Sequence, residues 1–304
     1  MDLGRKYTAA LYANDTASLW PVMTDRMKDS LKDEASLKEF NERARNQLGK
    51  EVRMIKEVAL PSGEYLIYTR LAEFDKVLPH IVVQFTFDAK SQIAGFFVTA
   101  EQNAAATQYL NYKDKTSLTL PVSGAWTVYQ GGRTVFDNYH AQSIDQRFAY
   151  DLLVIKNDRQ YDNKGWELKD YYSYGLPVLA PAAGKVIVAI DEYEDNAPLK
   201  PNKDAPAHGN AIVIDHGNNE FSMLAHLQHG SVKVKTGDKV TAGQQLALCG
   251  NSGNSPIPHL HYHLQNSSVW FKGEGLPIQF HDYVSNGKPV TVGEPARGEV
   301  LQKK

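Results

Sequence analysis

Apolar residues in the first hundred positions change spacing part-way along, from a helical rhythm to a strand rhythm. From Leu3 to Leu11 they recur at every third or fourth position, which predicts an amphipathic helix. Asn14-Asp15-Thr16 then supplies a break with capping capacity. Ser36-Leu37-Lys38-Glu39 has the form of a capping box, so a second helix is expected to run from there to about Gln47. Four strand-like runs follow, Val52–Leu60, Tyr65–Phe74, His80–Phe87 and Ile93–Val98. Pro61-Ser62-Gly63 and Asp88-Ala89-Lys90 are the expected turns between them. Helices first and strands after is the order of an α+β domain.

Beyond residue 102 the pattern changes again. Residues 103–114 are polar and alanine-rich and are expected to form a linker. From residue 115 to about 290, short apolar runs alternate with Gly, Pro, Asn and Asp. Leu176–Ala180, Lys185–Ile190, Ala211–Ile214, Phe221–Leu227, Val232–Val234 and Gln245–Leu248 are the candidate strands. Many short strands between turns predict a mostly antiparallel β domain of sandwich or barrel type. Residues 291–304 look like a frayed polar tail.

Composition narrows the classes without choosing a function. A chain of 304 residues exceeds one ordinary core and suggests two domains. Its net charge of −2 and lack of a dense basic block give no electrostatic case for nucleic acid. No apolar run approaches the roughly 20 residues of a membrane helix. Met1-Asp2-Leu3-Gly4-Arg5 lacks a secretory layout, so either the chain is cytosolic or a leader has been trimmed. Cys249 is the only cysteine, which excludes an internal disulfide and fits a small core residue better than a nucleophile.

The chemistry is concentrated in the second half. Of ten histidines, all but His80 and His140 lie between His208 and His281. His259-Leu260-His261-Tyr262-His263-Leu264 reads as a strand with three imidazoles on one face and apolar side chains on the other. Imidazoles two residues apart on a strand can both reach one metal ion, and the bland alternative is a solvated polar face. Asp151 sits inside the apolar run Phe148–Ile155, where a carboxylate must be paired, hydrogen-bonded or bound to a cation. His80 has no ligand-type partner nearby in sequence and reads as an ordinary histidine.

An ordered series of motifs resembles the lysostaphin-type zinc metallopeptidases, which cut peptide cross-links in bacterial cell walls. It runs through Gly175-Leu176-Pro177-Val178-Leu179-Ala180-Pro181-Ala182-Ala183-Gly184-Lys185-Val186, then Gly209–Gly217, then Leu224-Ala225-His226-Leu227. Gly237-Asp238-Lys239-Val240, Gly243-Gln244 and Gly250–Ser255 lead on into Pro258-His259-Leu260-His261-Tyr262. The first half, residues 1–102, resembles the cystatin-like domains related to nuclear transport factor, for which a binding or spacing role is expected. The wall-peptidase resemblance implies one Zn2+ per chain, held by Asp151 and His261, with His226 and His259 as unliganded catalytic histidines. It implies a peptidoglycan peptide as substrate and an extracytoplasmic site of action. The family's first ligand is a histidine four residues before the aspartate, and here that position is Arg147, which stays protonated and cannot ligate. His140 is the nearest upstream candidate for the third ligand, carried round by residues 141–146. Leu224 stands where the family commonly has an aromatic.

His263 has no counterpart in the family pattern and either supports its neighbour or faces solvent. His216 reads as structural, whereas His208 and His229 could rim a groove. The charged loop from Glu192 to Pro206, and Tyr171, Tyr172 and Tyr174, could shape access to it or simply pack. The alternative from another class is a non-catalytic relative that binds wall or regulates a partner wall hydrolase.

Overall fold

The computed structural model describes residues 1–270 and 272–304. Residues Met1–Gln102 and Asn103–Lys304 form separate units, each with its own apolar core.

In the first unit, helix α1 (Asp2–Ala13) buries Gly4, Tyr7, Thr8 and Leu11, the stripe expected from its spacing. A Cβ on Gly4 would lie 2.1 Å from the Tyr68 ring, so only glycine lets the helix sit this close to the sheet. Asn14 ends α1 in the left-handed conformation, and Asp15 caps α2 (Thr16–Leu19). After α3 (Asp25–Leu31), α4 (Glu34–Leu48) starts earlier than the expected capping box. Asp33 is its N-cap, and Ser36 donates both its N–H and its hydroxyl to that carboxylate from within the first turn. Strands β1 (Glu51–Ser62), β2 (Tyr65–Phe74), β3 (Val77–Phe87) and β4 (Ile93–Ala100) make an antiparallel meander in chain order. Alternate residues of β3 are buried, which places Ile81, Val83, Phe85 and Phe87 in the core. His80 lies on the surface of this unit beside Glu101, with its Nδ1 3.1 Å from the carboxylate.

The second unit is antiparallel β almost throughout. Its strands are β5 (Ala125–Gln130), β6 (Tyr150–Leu153), β7 (Pro177–Leu179), β8 (Gly184–Ile190), β9 (Asn210–Asp215), β10 (Phe221–Leu227), β11 (Lys239–Val240), β12 (Gln245–Leu248) and β13 (Leu260–Gln265). Four more complete it: β14 (Gly275–Leu276), β15 (Phe280–Ser285), β16 (Lys288–Gly293) and β17 (Val300–Lys303). One sheet runs β11-β8-β9-β10-β13-β6-β5-β17-β15-β16, with β14 beside β13, while β7 and β12 form a separate pair. The strands central to this order, β9, β10, β13 and β6, are buried nearly end to end.

Three expectations change here. The C-terminal tail does not fray, because β17 is inserted between β5 and β15 and hydrogen-bonds to both. Its polar side chains Gln302 and Lys303 point to solvent while Leu301 is fully buried, so a strand with one apolar anchor was disguised by its composition. Val232–Val234 is irregular backbone rather than a strand, although both valines pack against the core. Residues 103–114 do not hang free either. Tyr109 and Tyr112 pack on the core of this unit, and the buried Glu220 carboxylate accepts from the Tyr112 hydroxyl at 2.8 Å. Glu220 also accepts from Lys115 N, Thr116 N and the Thr116 hydroxyl.

Candidate active site

Strand register assembles the centre of the site. β13 pairs with β6 so that His261 lies opposite Asp151, and with β10 so that His261 lies opposite Ala225. Directly opposed residues of antiparallel strands project to the same face. The His261 Nδ1 is therefore 2.9 Å from the Asp151 Oδ1.

His140 enters from a short 3-10 turn, Tyr139–Gln142, that precedes β6. Asn138 holds this turn in place. Its side-chain oxygen accepts from His140 N at 3.1 Å, and its amide donates to Ala149 O at 3.1 Å and Gly132 O at 3.3 Å. The His140 Nε2 lies 3.1 Å from the Asp151 Oδ2. Arg147, at the position the family gives to a histidine, is spent elsewhere. Its guanidinium donates to Ala105 O and Arg133 O and lies over the Phe148 ring.

His140, Asp151 and His261 are each at least nine-tenths buried, and one ligand atom from each falls within 4.8 Å of the others. Among the described residues this is the group of His, Cys, Asp and Glu able to hold a metal ion. Two imidazoles and a carboxylate make a donor set suited to a divalent transition metal with an open position. Burial alone would push the Asp151 carboxyl up, but His140, His259 and His261 around it hold it well below the usual range.

His226 and His259 stand beside this cluster. The pairing of β9 with β10 breaks between Leu224 and Leu227, and His226 occupies the irregularity with φ of +61°. A non-glycine residue held in that conformation at a bulge turns its side chain out of the strand's alternation. Its ring comes to 4.7 Å from that of His259 and 5.9 Å from that of His261, measured between centroids. Each of the two flanking histidines has its Nδ1 on a backbone carbonyl, Ser252 O at 2.9 Å for His226 and Ile257 O at 2.8 Å for His259. A carbonyl can only accept, so Nδ1 carries the proton and Nε2 offers a lone pair. The His259 Nε2 faces Asp151 at 3.6 Å. Burial pushes the His226 imidazole well below its ordinary range, reinforced by His259 and His261, so it is held neutral.

The cluster opens on a cleft of ≈ 220 Å³ walled by Tyr139, Ser143, Gln146, His208, Asn254 and Trp270. The Trp270 indole lies against His208, ring centres 4.9 Å apart. Larger cavities occur in the first unit, without a metal-ligating cluster among the described residues. His229 is solvent-facing beside Glu194, and His216 bridges Ala183 O and Ser222. His263 is fully buried rather than solvent-facing. Of the tyrosines, Tyr174 donates to Asp195 and Tyr171 to Gly165 O, and Tyr172 packs on the core. Trp270 and Gln265 escaped the sequence reading. For Gln265 the signal was present, since it extends the alternation His259, His261, His263 by one more step.

Residues 162–274 match the sequence profile of Peptidase family M23. The second unit thus carries an M23 peptidase domain over these residues. Over 90 residues the chain is 44% identical to the peptidoglycan DD-endopeptidase ShyA of Vibrio cholerae, a match covering 30% of this chain and 17% of ShyA. Over 185 residues it is 26% identical to the murein hydrolase activator NlpD of Salmonella dublin, covering 60% of this chain and 43% of NlpD. The chain thus spans less than a fifth of the one relative and less than half of the other. Among solved structures, the catalytic domain of lysostaphin from Staphylococcus simulans is 20% identical with a TM-score of 0.27, covering 57% of this chain and 95% of that one. A putative M23 peptidase from Pseudomonas aeruginosa is also 20% identical, with a TM-score of 0.28 and coverage of 72% and 85%. Structural likeness at that level says nothing about the site.

Proposed function

We propose that the M23 domain is a zinc-dependent endopeptidase that hydrolyses peptide bonds in peptidoglycan cross-links or stem peptides. The observation that carries this reading is the convergence of His140, Asp151 and His261 with two further imidazoles, His226 and His259, at their open side. His140, Asp151 and His261 would hold the ion, one per chain. When bound, zinc supplies Lewis acidity toward a carbonyl oxygen and acidifies a water to a pKa of about 7. The chain's own residues do the rest. His226, with Nδ1–H fixed on a carbonyl, lines the cleft, and His259, fixed in the same way, turns Nε2 toward Asp151; the Nε2 atoms are the nitrogens left to accept a proton. One histidine takes the proton of the attacking water on Nε2, donates from that Nε2–H to the developing oxyanion, and then passes the proton to the leaving amine. His208, Trp270 and Tyr139 flank the peptide and limit water around it. Such a substrate places the protein outside the cytoplasmic membrane. Among the described residues no helix is long and apolar enough to cross one.

A second reading, a peptidase-shaped regulator of another wall hydrolase, is favoured by the match to NlpD. The complete set of five site residues favours catalysis instead. The two separate in one experiment, in which the zinc-loaded chain is incubated with purified sacculi and new amino termini are counted. Catalysis requires about one zinc per chain, new amines, and loss of both on chelation. A chain that binds sacculi with zinc in place yet releases no amine would overturn the enzymatic reading and leave the regulatory one.

A further inference from the structure

Behind His261, on the side away from Asp151, a line of buried polar groups has its proton order set from one end. It begins at the backbone carbonyls of Ser267, Val269 and Lys272. The Gln265 side-chain nitrogen lies 2.6 Å from Ser267 O and 2.8 Å from Val269 O, with Lys272 O at 3.4 Å. Carbonyl oxygens only accept, so the amide nitrogen must face them and Oε1 must face the other way. Oε1 is 3.2 Å from the His263 Nε2. An oxygen without a proton there demands a proton on that Nε2, and the neutral imidazole then has a bare Nδ1. This Nδ1 is 2.9 Å from the His261 Nε2, which must in turn donate. The last step leaves the His261 Nδ1 bare, 2.9 Å from a carboxylate oxygen of Asp151. Two acceptors at that spacing repel unless a cation or an added proton lies between them.

Resting on the zinc reading above, we infer that His263 and Gln265 are positioning residues whose hydrogen-bond relay keeps the His261 proton on Nε2 and turns its Nδ1 lone pair to the metal. The orientation is set at the far end, by backbone carbonyls that cannot switch role. This separates the relay from a generic buried network, which either proton direction would satisfy. His261, His263 and Gln265 are all essentially excluded from water, so no solvent molecule competes for the relay's donors and acceptors. The segment that anchors the relay also carries Trp270, whose ring meets His263 edge-on at 5.3 Å between centroids. One loop thereby supports the metal ligand and walls the cleft.

The test compares the full chain with His263→Phe, His263→Asn, Gln265→Met and His261→Ala. Zinc affinity is read by competition with a chromogenic chelator, and ring protonation by long-range proton–nitrogen NMR on the metal-free chain. In the parent, His263 is expected as a single Nε2–H tautomer, and an Nδ1–H signal would overturn the relay. His263→Phe is expected to lower zinc affinity about 10- to 100-fold. His263→Asn keeps an acceptor near the place of Nδ1 and is expected to recover most of that loss. Should the Phe variant fail to fold, Gln265→Met carries the same expectation, with His263 then present as both tautomers. Parental affinity in the Phe and Met variants, with His263 still a single tautomer in the Met variant and zinc lost in His261→Ala, would sink the relay and leave the zinc reading standing. Parental affinity in His261→Ala would sink the zinc reading itself.

Discussion

Side chains at this site are defined by what their second nitrogen or oxygen touches. His226 and His259 have Nδ1 occupied by carbonyls, whereas His261 has Nε2 occupied by His263, so neighbouring imidazoles serve different ends. His226→Ala is therefore expected to retain zinc and to lose about 10²- to 10⁴-fold in turnover, as measured by metal analysis beside a cleavage assay. His140→Ala should instead lose metal affinity, and undiminished zinc retention would mean another group fills that position. A separate residue, Asp114, offers a pH test away from the metal. Burial pushes its carboxyl up to about 6, with Glu220 and Glu294 adding to the effect against a hydrogen bond from Gln279 N. The folded chain then binds more protons than the unfolded one between about pH 4 and 6. The resulting cost is fully present above pH 6 and is relieved as pH falls. Asp114→Asn is expected to stabilise the chain by about 1 kcal/mol at pH 7.5, after allowance for solvent screening, and by nothing near pH 4. Urea unfolding at both values checks this.

At the level of elements, the site depends on irregularities as much as on strands. The bulge at His226 is backed by Gly209, whose φ is +59° and whose added Cβ would sit 2.4 Å from the Ser252 carbonyl carbon. Ser252 O is the partner of the His226 Nδ1, and His208 O accepts from His226 N. Gly209→Ala is expected to cost about 1–3 kcal/mol of stability and to lower turnover more than zinc affinity, because the displaced backbone carries the base rather than the ligands. Thermal unfolding and metal titration on the same variant separate the two effects. Strand β17 is a different kind of dependence. Removing residues 300–304 would leave the facing edges of β5 and β15 unpaired inside the sheet, so the truncated chain is expected in the insoluble fraction, in contrast to what a frayed end would allow.

For the whole chain, two cores imply two cooperative units. Zinc binds only one of them in this reading, so chelation should lower one thermal transition and leave the other in place. At a free zinc level a thousandfold above Kd the difference is about 4 kcal/mol for the metal-holding unit. Differential scanning calorimetry with and without chelator reads it directly, and a joint shift of all transitions would contradict independent units.

Much of this was legible along the chain because it is local or periodic. The four strands of the first unit follow from alternation, and the placing of Asp151 and of His259, His261 and His263 follows from a two-residue repeat and an apolar frame. Other features depend on contacts between residues distant in sequence, to which local pattern is blind. Register put Asp151 opposite His261, and a turn held by Asn138 brought His140 beside the same carboxylate. The polar C-terminal residues became an interior strand because partners were waiting on both sides. Which nitrogen of each histidine faces the cleft was decided last, by carbonyls on other segments, since a proton's position on imidazole answers only to what lies across from it.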